Sequence, residues 1–170
     1  MLPNYLLFKI LVFGVQKLQI YLDTNIIYGF FKSIAELVFK GRKYTENKRL
    51  KLIESSADKI DAMTSFFTLV EVVERLKRDY KEILPSQISS LIEFFRKTFC
   101  IKIIEEILLT DRVLFFVLHG MGWKDSIQLE IAKNGNFLLI TEDKNLKTLG
   151  RKFYKSVYDF KGLLFLLKRL

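Results

Sequence analysis

KDSIQLEIAKNGNFLLITEDKNLK, Lys124 to Lys147, is the stretch that decides the fold. Its first half predicts a helix over Lys124 to Lys133, closed by the turn-forming pair Asn134-Gly135. Phe137 to Ile140 (FLLI) has no polar alternation, as expected of a central parallel strand covered on both faces. Thr141-Glu142-Asp143 then opens another helix. Helix, tight turn, apolar strand and helix again is the repeating unit of a parallel α/β sheet.

The same alternation extends to either side. Gln19 to Leu22 is a short β-rich run, and Asp23-Thr24-Asn25 after it are turn and helix N-cap residue types leading into a helix from Ile26. Phe39 to Lys51 (FKGRKYTENKRLK) reads as a solvated basic excursion, broken at Gly41, before a helix through Ile53. Lys59 to Ser65 alternates as a strand does. Thr68 to Arg78 sets Leu69, Val72, Val73 and Leu76 at helical spacing, with cations near its end. Pro85 precedes a helix from Gln87 to Phe99, and Ile101 to Ile104 is a short strand before a helix reaching about Leu118. Gly120-Met121-Gly122 makes a joint, Ser156 to Tyr158 an edge strand, and Lys161 to Leu170 a terminal helix. The expected fold is a three-layer α/β/α arrangement around a central parallel sheet with right-handed crossovers. In such sheets, ligands bind beyond the carboxyl ends of the strands.

The chain has 170 residues, half of them apolar, with 16 Phe, 8 Gly and 2 Pro, which suits one folded domain and excludes a disordered one. That domain is expected over residues 17–170, behind an N-terminal extension of residues 1–16. Leu6 to Val15 is apolar but shorter than the roughly 20 residues a membrane span needs. It also lacks the basic leader and cleavage site of a signal peptide. It reads as an extra element packed on the domain, or as sequence upstream of the true start, and a cytoplasmic protein without a membrane partner is expected. The single cysteine, Cys100, excludes an internal disulfide and a thiolate zinc site, and reads as a core residue at a strand start. The single histidine, His119, excludes a multi-histidine metal site. The formal charge of +9 suits a polyanion, although solvated lysine-rich helices produce the same count.

Four acids fall where the expected sheet would bring them together. Asp23 follows the first strand and Asp143 follows FLLI. Glu71 lies in the first turns of the helix after Ser65, and Asp125 opens the helix before FLLI. Carboxylates within ~5 Å repel by about 3 kcal/mol per pair at an effective dielectric of about 20, so such a cluster protonates, separates or binds a cation. Hard oxygen ligands favour Mg2+ or Mn2+ over zinc. A metal held by few protein ligands keeps water in its shell, from which it can supply a nucleophile and stabilise a phosphodiester under attack. Read singly, Asp23 and Asp143 serve equally well as helix caps. Asp125 can equally be a first-turn acid and Glu71 an exposed helix residue, with Glu74 its rival.

Together the motifs resemble a known family. IYLDTNIIYGFF (Ile20 to Phe31) resembles the opening strand and helix of PIN-domain proteins, an apolar run followed by Asp-Thr/Ser-Asn. TSFFTLVEVVERL (Thr64 to Leu76) resembles their second motif, a Ser followed six residues later by Glu; that spacing selects Glu71 over Glu74. The opening stretch resembles the third and fourth motifs, with Asp125 and Asp143 18 residues apart. The resemblance covers roughly residues 17–170. It implies a magnesium-dependent endoribonuclease with Asp23 and Asp125 as principal metal ligands. Glu71 would complete the site and position water, Asp143 would act through water or a second metal, and Thr141 and Asn25 would lie in the supporting or substrate shell. The leading sixteen residues have no counterpart, and Phe39 to Ala62 is long for the smallest members. All four acids are present, so an active enzyme is expected. Small PIN proteins are often VapC-like toxins of toxin–antitoxin pairs, which implies RNA as substrate, an antitoxin protein as partner, and a homodimer.

Two other functions compete. One is a non-catalytic PIN-fold module that binds RNA or serves assembly, keeping an ion for stability. The other, a haloacid dehalogenase-type phosphatase, needs Asp-x-Asp after the first strand, whereas Thr24-Asn25 follows Asp23 here. Among further candidates, Arg42, Lys43, Lys48, Arg49 and Lys51 suit either phosphate contact or a solvated helix face. Trp123 suits either stacking on a base or half-buried packing. The pairs Phe66-Phe67, Phe94-Phe95 and Phe115-Phe116 are expected in the core or a dimer interface.

Overall fold

Five short strands hold the chain together: β1 (Leu18–Leu22), β2 (Ile60–Ser65), β3 (Lys102–Ile104), β4 (Leu138–Ile140) and β5 (Val157–Tyr158). They lie in the order β3-β2-β1-β4-β5, each neighbouring pair parallel. The computed structural model describes residues 17–105 and 110–169. Among these, the helices are α1 (Thr24–Lys40), α2 (Lys48–Ser55), α3 (Phe66–Asp79), α4 (Pro85–Phe99), α5 (Asp111–Leu118), α6 (Trp123–Asn134), α7 (Lys144–Phe153) and α8 (Phe160–Leu167).

Side chains alternate across a strand, and β1 uses both faces. Ile20 and Leu22 enter one core with residues of α1, α2, α3, α4 and α8, while Tyr21 enters a second with residues of α5, α6 and α7. The fold is thus α/β in three layers, as the alternation of elements predicts. The Tyr21 hydroxyl, deep in the second core, lies 2.7 Å from both Ser65 Oγ and Thr68 Oγ1. Ser65 is also the N-cap of α3, accepting from the Thr68 N–H, so β1 is tied to the start of that helix.

From β1 the chain builds outward to β2 and β3 on one side, then returns to add β4 and β5 on the other. The carboxyl ends of β1 and β4 therefore flank a topological switch point, where open α/β sheets form their ligand crevice. A backbone bond from Asp23 N to Ile140 O, 3.1 Å long, closes the two ends together.

FLLI supplies β4, an inner parallel strand beside β1 with both faces covered, as its apolar run predicts. Several other details differ from expectation. Lys48 to Lys51 are helical rather than part of the polar excursion, because Asn47 caps α2 by accepting from the N–H groups of Arg49 and Leu50. Cys100 is exposed at the end of α4 with a left-handed φ of 51°, and its neighbours Phe99 and Ile101 are the buried residues. The phenylalanine pairs split, as adjacent helical positions must: Phe95 and Phe116 are buried, and Phe66, Phe94 and Phe115 are exposed. The expected N-terminal extension lies outside the described residues. Among the described residues, no helix is long and apolar enough to cross a membrane.

The turn into β4 is sterically tight. Asn136 takes a left-handed φ of 54°, and a Cβ added to Gly135 would sit 2.0 Å from Cε2 of Phe137. Gly135→Ala must displace that ring, and is expected to destabilise the fold by about 1–3 kcal/mol in urea denaturation.

Candidate functional site

Asp23 stands at the switch point, 2% exposed. It occupies the N-cap position of α1 without the usual side-chain capping bond, and its carboxylate is instead approached by the Thr24 backbone N–H. Oδ2 accepts from Thr141 Oγ1 at 2.7 Å and Asn25 Nδ2 at 3.1 Å. Burial pushes this carboxyl above its ordinary pKa, the Thr141 hydrogen bond pulls it back, and the neighbouring Glu71 charge raises it further.

Glu71 faces the same crevice from α3 and is 7% exposed. Three donors hold it: Thr24 Oγ1 (2.6 Å) and Gln128 Nε2 (2.9 Å) on Oε2, and Arg75 Nη2 (2.9 Å) on Oε1. Arg75 also donates to Asn25 Oδ1 at 2.8 Å. Arginine has no acceptor, so this contact turns the Asn25 oxygen toward Arg75 and its amide nitrogen toward Asp23. Glu74 is exposed and pairs with Lys124 outside the crevice, so it does not compete for the position of Glu71.

Asp125, in the first turn of α6, accepts no hydrogen bond among the described residues. Its pKa is pushed up to about 6, first by burial and then by the charges of Asp143, Asp23 and Glu71, with Arg75 opposing. Asp143 caps α7 through Oδ1, which accepts from Leu146 N at 2.9 Å. Its own N–H donates to Thr141 Oγ1 at 2.9 Å. Thr141 therefore links Asp23 to the start of α7. The four acids named from the sequence lie within electrostatic reach of one another at one sheet edge, with Thr141 and Asn25 both bonded to Asp23.

Three members of this network were not legible as site residues. Thr24 and Gln128 hold Glu71 and each other, Gln128 Nε2 donating to Thr24 Oγ1 at 3.1 Å. Arg75 is the cation within the carboxylate group. The available signals were spacings: Arg75 is four residues after Glu71 on α3, and Gln128 three after Asp125 on α6, each on the same helix face. Of the basic stretch, Arg49 reaches the edge of the site, 3.6 Å from Glu142, while Arg42 and Lys51 pair locally with Glu36 and Glu46.

The donor set fits a hard cation in type. The available atoms are oxygens, and the buried Oε1 of Gln128 has no hydrogen-bond partner. Among the described residues, however, no group of three or more His, Cys, Asp or Glu is arranged to hold a metal ion. Such a site suits a cation bound through one or two carboxylates and otherwise by water, which is how Mg2+ usually binds.

The fold and this crevice define an α/β protein with an acidic site at its switch point. No family model matches the sequence, and no curated protein matches it. Among solved structures, the crystal structure of PAE2754 from Pyrobaculum aerophilum is similar, with a TM-score of 0.54 at 15% identity over 92% of this chain and 100% of that one. At that identity the likeness concerns the fold alone.

The raised pKa of Asp125 has a stability consequence. Between its ordinary value of 3.8 and about 6, the folded state holds a proton that the unfolded chain has lost. Stability of the metal-free protein therefore falls as pH rises through that window. Asp125→Asn is expected to flatten this slope, stabilising the metal-free protein near pH 7.5 but not near pH 4, as read from denaturation midpoints across pH.

Proposed function

We propose that this chain is a Mg2+- or Mn2+-dependent endoribonuclease of the PIN-domain type, hydrolysing RNA phosphodiester bonds. The observation that carries the reading is the convergence of Asp23, Glu71, Asp125 and Asp143 at the switch point. There, burial and the other three acids keep Asp125 protonated to about pH 6. A cluster of like charges, two of them buried and two partly so, is the arrangement a divalent cation relieves.

Asp23 and Asp125 would hold the cation. Hydrogen bonds from Thr141 and Asn25 to Oδ2 fix the orientation of the Asp23 carboxylate. Asp125 accepts no hydrogen bond among the described residues and lies within electrostatic reach of Asp23. The bound cation would polarise a phosphodiester oxygen and acidify water. Glu71 is fixed by Thr24, Gln128 and Arg75, and so presents a carboxylate of settled orientation to a water molecule or leaving group. Arg75 adds positive charge beside the place a phosphate would occupy, and the formal charge of +9 favours a polyanionic substrate.

Incubating the protein with a structured RNA, with and without Mg2+, and with a small phosphomonoester as control, tests the reading. Cleavage should require the cation and spare the phosphomonoester. Asp23→Asn should abolish cleavage while RNA binding persists. Undiminished cleavage by that variant would show the site to be elsewhere. Thr141→Val, which removes a donor to Asp23, should weaken Mg2+ binding or activity roughly 10–100-fold. The narrower form of the reading, a VapC-like toxin neutralised by an antitoxin, predicts growth arrest on induction that Asp23→Asn relieves.

A further inference from the structure

Arg49 is held at the rim of the crevice from two directions. Asn47, the cap of α2, accepts from Arg49 N at 3.1 Å. Its Nδ2 donates at 3.1 Å to the carbonyl of Ile26, three residues after Asp23. Glu142, between Thr141 and Asp143, lies 3.6 Å from Arg49 Nη2 and also accepts from Phe160 N at 3.2 Å. The guanidinium carbon lies 6.0 Å from the centre of the Phe160 ring. The starts of α2, α7 and α8 thus meet beside the acids, with Arg49 at their junction. The guanidinium is placed but not spent. Its separation from Glu142 exceeds a hydrogen bond, and its side-chain nitrogens make none among the described residues. The two side chains are 42% and 35% exposed, so the pair is weak and open to exchange. Lys48 beside it and Lys144, directly after Asp143, are exposed and have no ionic partner among the described residues. All three cations stand in first turns of helices, where the dipole favours acids, and neither helix carries an acid there. The arrangement works against the helices and suits an anion brought from outside.

We infer that Arg49, flanked by Lys48 and Lys144, binds a backbone phosphate of the RNA next to the scissile bond, exchanging Glu142 for that phosphate as the substrate enters. The inference rests on the nuclease reading and adds the residue that holds the strand against the site. Four acids at the crevice repel a polyanion, so the substrate must be held by cations outside the group. Arg75, inside the group, is committed to Asn25 and Glu71. Arg42 and Lys51, from the same basic stretch as Arg49, are committed to Glu36 and Glu46. A phosphate accepts two parallel N–H bonds from one guanidinium, which Glu142 at its present distance does not.

The experiment uses the Asp23→Asn protein and an end-labelled RNA, with Kd measured by anisotropy across a series of salt concentrations. Each phosphate contact contributes about one to the slope of log Kd against log salt. Adding Arg49→Ala should raise Kd severalfold and lower that slope by about one. Arg49→Lys, which keeps the charge, should recover most of the slope. Arg42→Ala removes the same charge toward the far end of α1 and should leave the slope unchanged. Glu142→Gln frees the guanidinium and should tighten binding, by more with Arg49 present than in the Arg49→Ala protein. An unchanged slope in Arg49→Ala, an equal loss in Arg42→Ala, or equal tightening by Glu142→Gln in both backgrounds overturns the inference and leaves the nuclease reading intact. Failure of the protein to bind RNA at all removes both.

Discussion

The hydrogen bond from Thr141 to Asp23 joins the residue after β4 to the residue after β1. It exists because those strands pair in parallel with Leu22 opposite Ile140. A register slip of one residue would turn every side chain on β4 to the other face and separate the pair. From this contact the rest of the crevice follows. Asp23 is held against β4 and its second donor, Asn25, is fixed by Arg75. Arg75 holds Glu71, and Glu71 receives Gln128 from α6, the helix that carries Asp125. Elements from both sides of the sheet are thereby bound into one polar network around two buried and two half-buried acids.

That network is costly to assemble. Burying a carboxylate disfavours its charged form, and each added acid raises the cost for the others. The remaining structure is arranged to bear it. Thr24, Asn25, Gln128, Thr141 and Arg75 all donate to the acids or orient the donors. Tyr21, Ser65 and Thr68 tie β1 to the start of α3, so that Asp23 and Glu71 stay in fixed relation. Among the described residues Asp125 alone of the four acids has no donor, and its pKa is pushed up to about 6.

Much of this was legible in the sequence because it depends on local patterns. Apolar runs such as FLLI marked the strands, and acids directly after them had to lie at one sheet edge. Selecting Glu71 over Glu74 rested on the resemblance of the Ser65-to-Glu71 spacing to a family motif. What stayed hidden depends on tertiary partners. Arg75 looked like a cation favouring a helix end, and nothing in its neighbours foretold that Asn25 and Glu71 would enclose it. Gln128 was one polar residue in a nearly all-buried helix. Cys100 was misplaced because its left-handed backbone turns it outward between two buried neighbours. The start of α2 was missed because a basic run hid the Asn47 cap.

Asp143 differs from its companions in serving the helix as well as the crevice. Its Oδ1 caps α7, and such a cap contributes about 1 kcal/mol whether or not any reaction occurs. Burial raises the pKa of both Asp23 and Asp125, so their charged forms weaken the fold as pH rises. Selection should therefore act on the acids unequally. Were the proposed chemistry lost in a descendant, Asp23 and Asp125 would be free to drift toward neutral residues, while an acid or amide at position 143 would be retained. The survival of Asp143 alone in a distant relative would then mark inherited helix architecture and nothing of the proposed activity.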